Sequence, residues 1–273
     1  MKVAIQGIKG SFHYLAAIEY FNENIQTITC LSFDELIQRV NDNSCDYAVM
    51  AIENTIAGSI LKNYKLLDEN ELCIVAEYNL KIQQNLIGMN SLEIKQINEI
   101  HSHPMAIYQC EKFLAELSAK IKIIETNDTA LSVKQIKENN LKNVAAISSK
   151  FSAELYGLKV LKENIQDNEF NWTRFLIIKK GNILINKSSN KISIVVYLKH
   201  EQNSLLNTLN ILSKYRMNLT KIQSLPIPYK KWQYKFYLDM EFNDRISLMN
   251  CIEQLKQSVE RLKILGIYKS FKN

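Results

Sequence analysis

The sequence predicts an α/β protein followed by a smaller module of βαββαβ order, and three observations carry that prediction. Over residues 1–181 short apolar runs alternate with amphipathic stretches, strand then helix, with small polar residues at the junctions. Between 181 and 190 the composition shifts to Asn, Lys and Ser, which marks a domain boundary. Beyond it, in residues 191–273, strands and helices follow in a new order. The expected domains are therefore 1–181 and 191–273.

Residues 3–6 read as a short buried strand, after which Gly7-Ile8-Lys9-Gly10-Ser11 turns the chain into a helix whose apolar face includes Leu15, Ala16, Ile18 and Phe21. Backbone amides at that helix start offer an anion site; a plain tight turn is the other reading. Neither a GxGxxG pattern nor a phosphate-binding loop with its lysine occurs, so a nucleotide is not supported. Residues 26–31 form a second strand, and Ser32-Phe33-Asp34-Glu35 has the S-x-x-E form of a capping box that opens a helix through Val40. Residues 46–52 are a strand ending at Glu53-Asn54-Thr55, ahead of Gly58-Ser59. Two extended runs, 72–78 and 80–88, lead toward a second lobe. A short strand over 99–102 meets Ser102-His103-Pro104, where proline suits the first turn of a helix expected over 105–117, with Gln109 about one turn in. Residues 121–126 are a strand, Asn127 or Asp128 caps a helix ending near Asn139, and 144–147 with Ser148-Ser149 repeat the strand and cap. Tyr156-Gly157 ends that helix and 159–163 make a brief strand. In the tail, 192–199 is a strand, 204–215 a helix, 218–224 and 233–241 strands, 247–262 a helix and 263–268 a closing strand. That order is the ferredoxin-like plan, more often a regulatory or dimerising module than a catalytic one.

Composition narrows the function classes. The 273 residues are 47% hydrophobic and 23% charged, with three prolines and seven glycines, which excludes disordered and collagenous chains. No run approaches the roughly 18 apolar residues of a membrane helix, and Met1-Lys2-Val3-Ala4-Ile5 enters a strand directly. The expectation is a cytoplasmic protein without a membrane partner. Five cysteines, an odd count with no CxxC spacing, argue against disulfides and zinc. His101 and His103 lack a carboxylate or thiol at ligand spacing, so no metal is expected. The net charge of +6 is spread along the chain as a solvated surface, not a nucleic-acid footprint, although a mildly positive field attracts a small dianion.

The candidate site centres on Asn171-Trp172-Thr173-Arg174-Phe175, a hydroxyl and a guanidinium just ahead of Leu176-Ile177-Ile178. Alone, the segment reads equally as a strand opening with a β-former and a surface cation. Its weight comes from upstream strand-to-helix junctions that carry Ser11, Asn54, Thr55 and Ser102, since such junctions are where α/β proteins bind ligands.

Gathered in order, these segments resemble the prephenate dehydratases over nearly the whole chain. The family's glycine turn is matched by Gly7-Ile8-Lys9-Gly10-Ser11-Phe12 and its Glu-Asn-Ser/Thr-x-x-Gly element by Glu53-Asn54-Thr55-Ile56-Ala57-Gly58. Its Ser-His-Pro segment is matched by His101-Ser102-His103-Pro104, and Asp128-Thr129-Ala130, Ala145-Ala146-Ile147-Ser148-Ser149 and Tyr156-Gly157-Leu158 fit as well. The Thr-Arg-Phe signature is Thr173-Arg174-Phe175. The tail resembles the family's ACT domain, with Asn218-Leu219-Thr220-Lys221-Ile222 and, further on, Trp232-Gln233-Tyr234-Lys235-Phe236-Tyr237.

The resemblance implies a two-lobed catalytic domain similar to periplasmic binding proteins, followed by an ACT regulatory domain, and conversion of prephenate to phenylpyruvate, carbon dioxide and water without a cofactor or metal. It assigns Thr173 to the departing hydroxyl, and Asn54, Thr55, Ser102 and Gln109 to polar groups of the substrate, with Ser11 and the amides after Gly10 at a carboxylate and Phe175 in the cleft. Arg174 either pairs with a carboxylate or braces the cleft. L-phenylalanine is implied as an allosteric ligand and a homodimer or homotetramer as the assembly. The regulatory segments depart from the family pattern: Glu-Ser-Arg-Pro is here Gln223-Ser224-Leu225-Pro226, and the Gly-Ala-Leu type segment is Asn203-Ser204-Leu205-Leu206. His13 stands where a smaller polar residue is common and Gln84 where a histidine often lies. An arogenate dehydratase and a non-catalytic amino-acid sensor are the competing readings.

Overall fold

A computed structural model describes residues 1–22 and 24–271, so the last two residues of the expected 191–273 segment lie outside it. In chain order the elements are β1 (Lys2–Gln6), α1 (Phe12–Phe21), β2 (Gln26–Cys30), α2 (Phe33–Asn41), β3 (Tyr47–Asn54), β4 (Gly58–Ser59), α3 (Leu61–Glu69), β5 (Leu72–Lys81), β6 (Asn85–Gly88) and β7 (Glu99–Ser102). There follow α4 (Pro104–Tyr108), α5 (Glu111–Ala115), β8 (Lys122–Glu125), α6 (Thr129–Glu138), β9 (Val144–Ser148), α7 (Lys150–Tyr156), β10 (Lys159–Lys162) and β11 (Trp172–Lys180). The tail comprises β12 (Lys191–Tyr197), α8 (Ser204–Lys214), β13 (Asn218–Pro226), β14 (Tyr234–Glu241), α9 (Arg245–Ser258) and β15 (Arg261–Tyr268). Among the described residues no helix is long and apolar enough to cross a membrane.

Contacts divide the chain into Met1–Ser59 with Asn79–Phe175, and Ile60–Tyr78 with Leu176–Asn273. The division differs from the expected 1–181 and 191–273, because Ile60–Tyr78 packs with the tail.

The first unit holds two α/β lobes, the periplasmic-binding-protein-like plan. In one, β1 runs parallel to both β2 and β3, with Ala4 opposite Ile28 on one side and Ala48 on the other. Val3, Ala4 and Ile5 are fully buried, as a parallel strand covered on both faces requires. Ser32 opens α2 as expected: its Oγ accepts from Glu35 N at 3.2 Å, while the Glu35 carboxylate accepts from Leu31 N at 2.8 Å. The other lobe is a five-stranded sheet in the order β10-β6-β9-β7-β8. Alternation splits its core between two faces, with Leu86, Ala145 and Ile147 packing beside Ala106 and Phe113, and Ile87 and Ala146 beside Val133, Ile136 and Ala153. Gly157 ends α7 in the left-handed region (φ 65°), the conformation that reserves this position for glycine. The helix expected over 105–117 is instead two short helices, α4 and α5, interrupted at Gln109 and Cys110. Asp167 causes the break: its N–H takes the Gln109 carbonyl at 2.7 Å and its carboxylate accepts from Lys112 N at 3.1 Å.

In the second unit β13-β14-β12-β15 form an antiparallel sheet, the ferredoxin-like order expected of the tail, and β5 joins β15 in parallel through Ile74 opposite Gly266. One face, with Ile192, Ile194, Val196, Leu238 and Met240, packs on Leu212 of α8 and Leu248, Ile252 and Leu255 of α9. The other face is polar yet buried, because α3 and β5 supply Asp68 and Glu77 to it: Asp68 Oδ2 meets Lys235 Nζ at 2.5 Å and Glu77 Oε2 meets Lys191 Nζ at 2.8 Å. The sequence pattern did not anticipate α3, whose N-terminus carries no side-chain cap. Helix α9 begins two residues earlier than expected because Asp244 caps Ser247 N at 2.8 Å, and it ends at Ser258 because Glu260 N bonds Tyr197 O at 2.9 Å and draws the chain into β15.

Candidate active site

Asn54 is the last residue of β3, where the chain folds back toward β4. Its Oδ1 accepts from Ile56 N and Ala57 N, both at 2.9 Å, an Asx turn that fixes which way the side-chain amide faces. The Nδ2 group then points at the start of β11, with Asn171 Oδ1 at 2.8 Å, Thr173 Oγ1 at 3.0 Å and Trp172 O at 3.1 Å. Two amide hydrogens thus serve three acceptors. Because Thr173 Oγ1 is an acceptor in this contact and its own hydrogen meets no acceptor among the described residues, the hydroxyl proton is left for a ligand.

The network continues through Asn171, which is fully buried and donates Nδ2 to Gln109 Oε1 at 2.9 Å. Gln84 Nε2 donates to the same oxygen at 3.1 Å. Main-chain bonds hold the frame: Ile82 N to Asn171 O at 2.7 Å, Ile165 N to Gln84 O at 2.8 Å and Asp167 N to Gln109 O at 2.7 Å. Asn54, Thr173 and Gln109, expected together from the sequence, therefore meet in one chain of neutral amides and a hydroxyl. Asn171 and Gln84 complete it; the sequence reading placed Asn171 in the central segment and noted Gln84 as a departure from the family pattern, but gave neither a role toward the substrate. Asn171 sits in the pentapeptide already singled out, and Gln84 lies in the polar triplet Gln83-Gln84-Asn85 between Ile82 and Leu86, at the position noted above where a histidine often lies. Those were the available signals.

Other expected residues stand apart from this network. Thr55 is exposed and its hydroxyl is used on the backbone, donating to Phe170 O at 2.9 Å and accepting from Trp172 N at 3.0 Å. Ser102 is completely buried and donates to Ile147 O at 2.7 Å. Ser11 caps α1, accepting from Tyr14 N at 3.2 Å. The turn before it needs Gly7, whose φ is 90° and where a Cβ would run into Asp128 Oδ2. A carboxylate of the chain thus already stands at this turn, and burial raises its pKa above the usual range. Along β11, Thr173 and Phe175 are buried while Arg174 is intermediate, so alternation sets Arg174 on the opposite face from Thr173.

Phe175 is 1% exposed and lies edge-on to His13, ring centroids 5.0 Å apart, with Phe33 at 5.5 Å on the same imidazole. His13 Nε2 accepts from Ala51 N at 3.2 Å, and burial lowers its pKa to about 3, so the ring is neutral at pH 7. The five cysteines are free and buried; burial pushes the Cys30, Cys45 and Cys251 thiols up to about 11 and Cys110 to about 12, which leaves them protonated and poor nucleophiles. Among the described residues no three His, Cys, Asp or Glu side chains gather as metal ligands would.

In the second unit Asn203 stands at the N-cap of α8 in the left-handed region (φ 66°), Ser204 Oγ donates to Glu201 O at 2.9 Å, and Leu205 packs against the apolar face. Gln223, Ser224, Leu225 and Pro226 lie on β13, paired with Tyr237, Phe236, Lys235 and Tyr234.

Residues 3–183 match the family model described as prephenate dehydratase, a span that contains every catalytic-site candidate above. A bifunctional chorismate mutase/prephenate dehydratase of Buchnera aphidicola subsp. Schizaphis graminum is 34% identical over 269 residues, covering 97% of this chain and 70% of the relative. Among solved structures, one described as GqqA, a novel type of quorum-quenching acylase, superposes with a TM-score of 0.89 at 26% identity, covering 99% of this chain and 98% of the other. A prephenate dehydratase from Arthrobacter aurescens in complex with L-Phe superposes with a TM-score of 0.88 at 24% identity, covering 98% and 90%, and shows the same fold. With about two thirds of its length inside the family model and a relative 34% identical over 97% of it, the chain belongs to the prephenate dehydratase family.

Proposed function

We propose that this protein converts prephenate to phenylpyruvate, carbon dioxide and water in phenylalanine biosynthesis. The observation that carries the proposal is the Thr173 hydroxyl, held by Asn54 Nδ2 at 3.0 Å so that its oxygen accepts and its proton is available. In the reaction the bond between the ring and its carboxylate breaks, the electron pair enters the ring, and the ring C–O bond breaks as the hydroxyl gains a proton and leaves as water. The products gain an aromatic ring, so the driving force lies in the substrate, and the protein's task is to hold a dianion and assist the departing oxygen. Thr173 supplies that hydrogen bond. An alcohol is a weak acid in water, and positioning is what makes it effective here. Asn54 orients Thr173, and Gln109 and the amides after Gly10 with Ser11 take oxygens of the substrate. Thr55 and Ser102 act on this reading by shaping the backbone around the site, Phe175 forms its apolar floor, and Arg174 braces the strand.

Residues 1–181 form the catalytic domain in this proposal and 191–273 an ACT regulatory domain, in a homodimer or homotetramer located in the cytoplasm. L-phenylalanine is the proposed regulator, bound at Asn203, Ser204, Leu205 and the segment Gln223, Ser224, Leu225, Pro226. With Gln223 and Leu225 in place of a carboxylate and a guanidinium, backbone groups carry that contact.

Phenylpyruvate formation from prephenate, followed by ultraviolet absorbance with and without L-phenylalanine, tests both parts. Thr173→Ala is expected to lower kcat about a hundredfold to a thousandfold, the loss seen when one positioned donor is removed, with the urea midpoint unchanged. Arogenate offered in the same assay measures the preference between the two substrates. No turnover of either by the wild type would overturn the proposal, and a Thr173→Ala protein with wild-type kcat would remove Thr173 from the mechanism.

A further inference from the structure

We propose that Gln84, together with Asn171, is a positioning residue that fixes Gln109 as a pure hydrogen-bond donor toward the substrate; the inference rests on the dehydratase reading above. The polarity of the amide chain is set at its far end. Two backbone N–H groups converge on Asn54 Oδ1, both at 2.9 Å, so the Asn54 amide presents Nδ2 to Asn171 Oδ1 at 2.8 Å. That turns Asn171 Nδ2 to Gln109 Oε1, at 2.9 Å. Gln84 Nε2 fills the second lone pair of the same oxygen, at 3.1 Å. A flipped Gln109 would set its NH2 against two other donors, so the orientation is locked from both sides. Among the described residues Gln109 Nε2 meets no acceptor, and it is the group a ligand would find. A fixed donor receives a carboxylate or carbonyl oxygen and has nothing to offer an ammonium group.

Gln84 bears the consequence of this arrangement. Its side chain belongs to a residue that is 2% exposed, and its Oε1 is buried with no hydrogen-bond partner among the described residues. A buried acceptor left unsatisfied is destabilising, and an apolar side chain of similar shape would remove the penalty. Stability alone therefore favours methionine or leucine here. The glutamine is explained by the donor it gives to Gln109, not by any contact its oxygen makes.

The test compares wild type, Gln84→Met and Gln84→Glu in urea unfolding and in steady-state kinetics with prephenate. Gln84→Met, which removes both the donor and the orphan acceptor, is expected to unfold at the same or a higher urea concentration while kcat/KM falls at least about tenfold, since a loosened positioning group misplaces the substrate. Gln84→Glu is expected to acquire a pH dependence absent from the wild type. Its protonated carboxyl donates to Gln109 Oε1, and activity is lost as the buried carboxyl ionises, at a pH above the usual carboxylate range. The inference is overturned if Gln84→Met keeps the wild-type kcat/KM, if it loses stability and activity together, or if Gln84→Glu follows the wild-type pH profile. Absence of prephenate turnover by the wild type sinks the dehydratase reading and this inference with it, whereas an active wild type with an equally active Gln84→Met sinks the inference alone.

Discussion

His13 Nε2 accepts the backbone N–H of Ala51 at 3.2 Å, which fixes the imidazole as the neutral form protonated on Nδ1. Phe33 and Phe175 flank the ring, so a charged imidazolium would lose both its acceptor role and its solvation. Burial accordingly lowers its pKa to about 3 from an ordinary value of 6.5. Below pH 6.5 the unfolded chain takes up a proton that the folded protein refuses, so this group's contribution to stability is intact at neutral pH and is lost progressively as pH falls toward 3. The slope from one such proton is at most about 1.4 kcal/mol per pH unit. His103 is lowered as well, by desolvation, so the comparison needs a variant. Urea midpoints at pH 7 and pH 5 should fall further for the wild type than for His13→Gln, which cannot take up the proton. Equal shifts in the two proteins would show that His13 titrates freely in the folded state. At this scale the sequence showed that residues such as Thr173 and Asn54 stand at strand ends, a local property. It could not show that Thr55 and Ser102 turn their hydroxyls to the backbone, because their partners, Phe170 and Ile147, are 115 and 45 residues away.

The interruption between α4 and α5 is an element-scale feature that local propensity misses. Residues 105–117 have a helical apolar pattern, and nothing within the segment predicts a stop at Gln109. The stop comes from Asp167, 55 residues from Lys112, whose carboxylate accepts at the first turn of α5 as a cap from outside the helix. Cys110, the residue at the N-cap position, provides no side-chain bond of its own. Without the break, the Gln109 carbonyl would be committed to an intrahelical bond and not to Asp167 N at 2.7 Å. Asp167→Ala removes the cap but keeps the N–H, and it is expected to cost about 1 kcal/mol of stability and to lower kcat/KM several-fold as Gln109 loosens. Asp167→Asn retains an oxygen acceptor and should lie close to wild type in both. Unfolding midpoints and kcat/KM for the pair check this, and equal behaviour of the alanine and asparagine variants would show that the cap is idle.

At the scale of the whole chain, what was legible and what was not follows from the range of the contacts. The tail's βαββαβ order could be read because strand alternation and helix caps are local. The same alternation misleads about its second face: Lys191, Ser193 and Tyr197 in β12 and Lys235 and Asp239 in β14 look like a solvated side, yet four of the five are buried and Tyr197 is partly so. Helix α3 reaches two of them from more than a hundred residues away, with Lys235 Nζ at 2.5 Å and Tyr197 OH at 2.6 Å from Asp68 Oδ2, while Lys191 meets Glu77 of β5; Lys263 Nζ bonds the carbonyls of α3 at Leu67 (3.1 Å) and just beyond it at Asn70 (2.8 Å). The side chains of Asp68 and Lys235 are 2% and 5% exposed, so each charge depends on the other. Attraction within a buried pair roughly offsets the loss of hydration, whereas removing one partner strands the other charge. Asp68→Ala should therefore destabilise the protein by about 3–5 kcal/mol. Replacing the pair with apolar residues, Asp68→Leu with Lys235→Met, should recover most of that loss, because no charge is then left without a counterpart. Urea unfolding of Asp68→Leu, Lys235→Met and their double variant gives the coupling directly. A double variant as unstable as Asp68→Ala, or an Asp68→Ala within about 0.5 kcal/mol of wild type as an exposed position would be, would mean that α3 is not held to this sheet through its buried carboxylate.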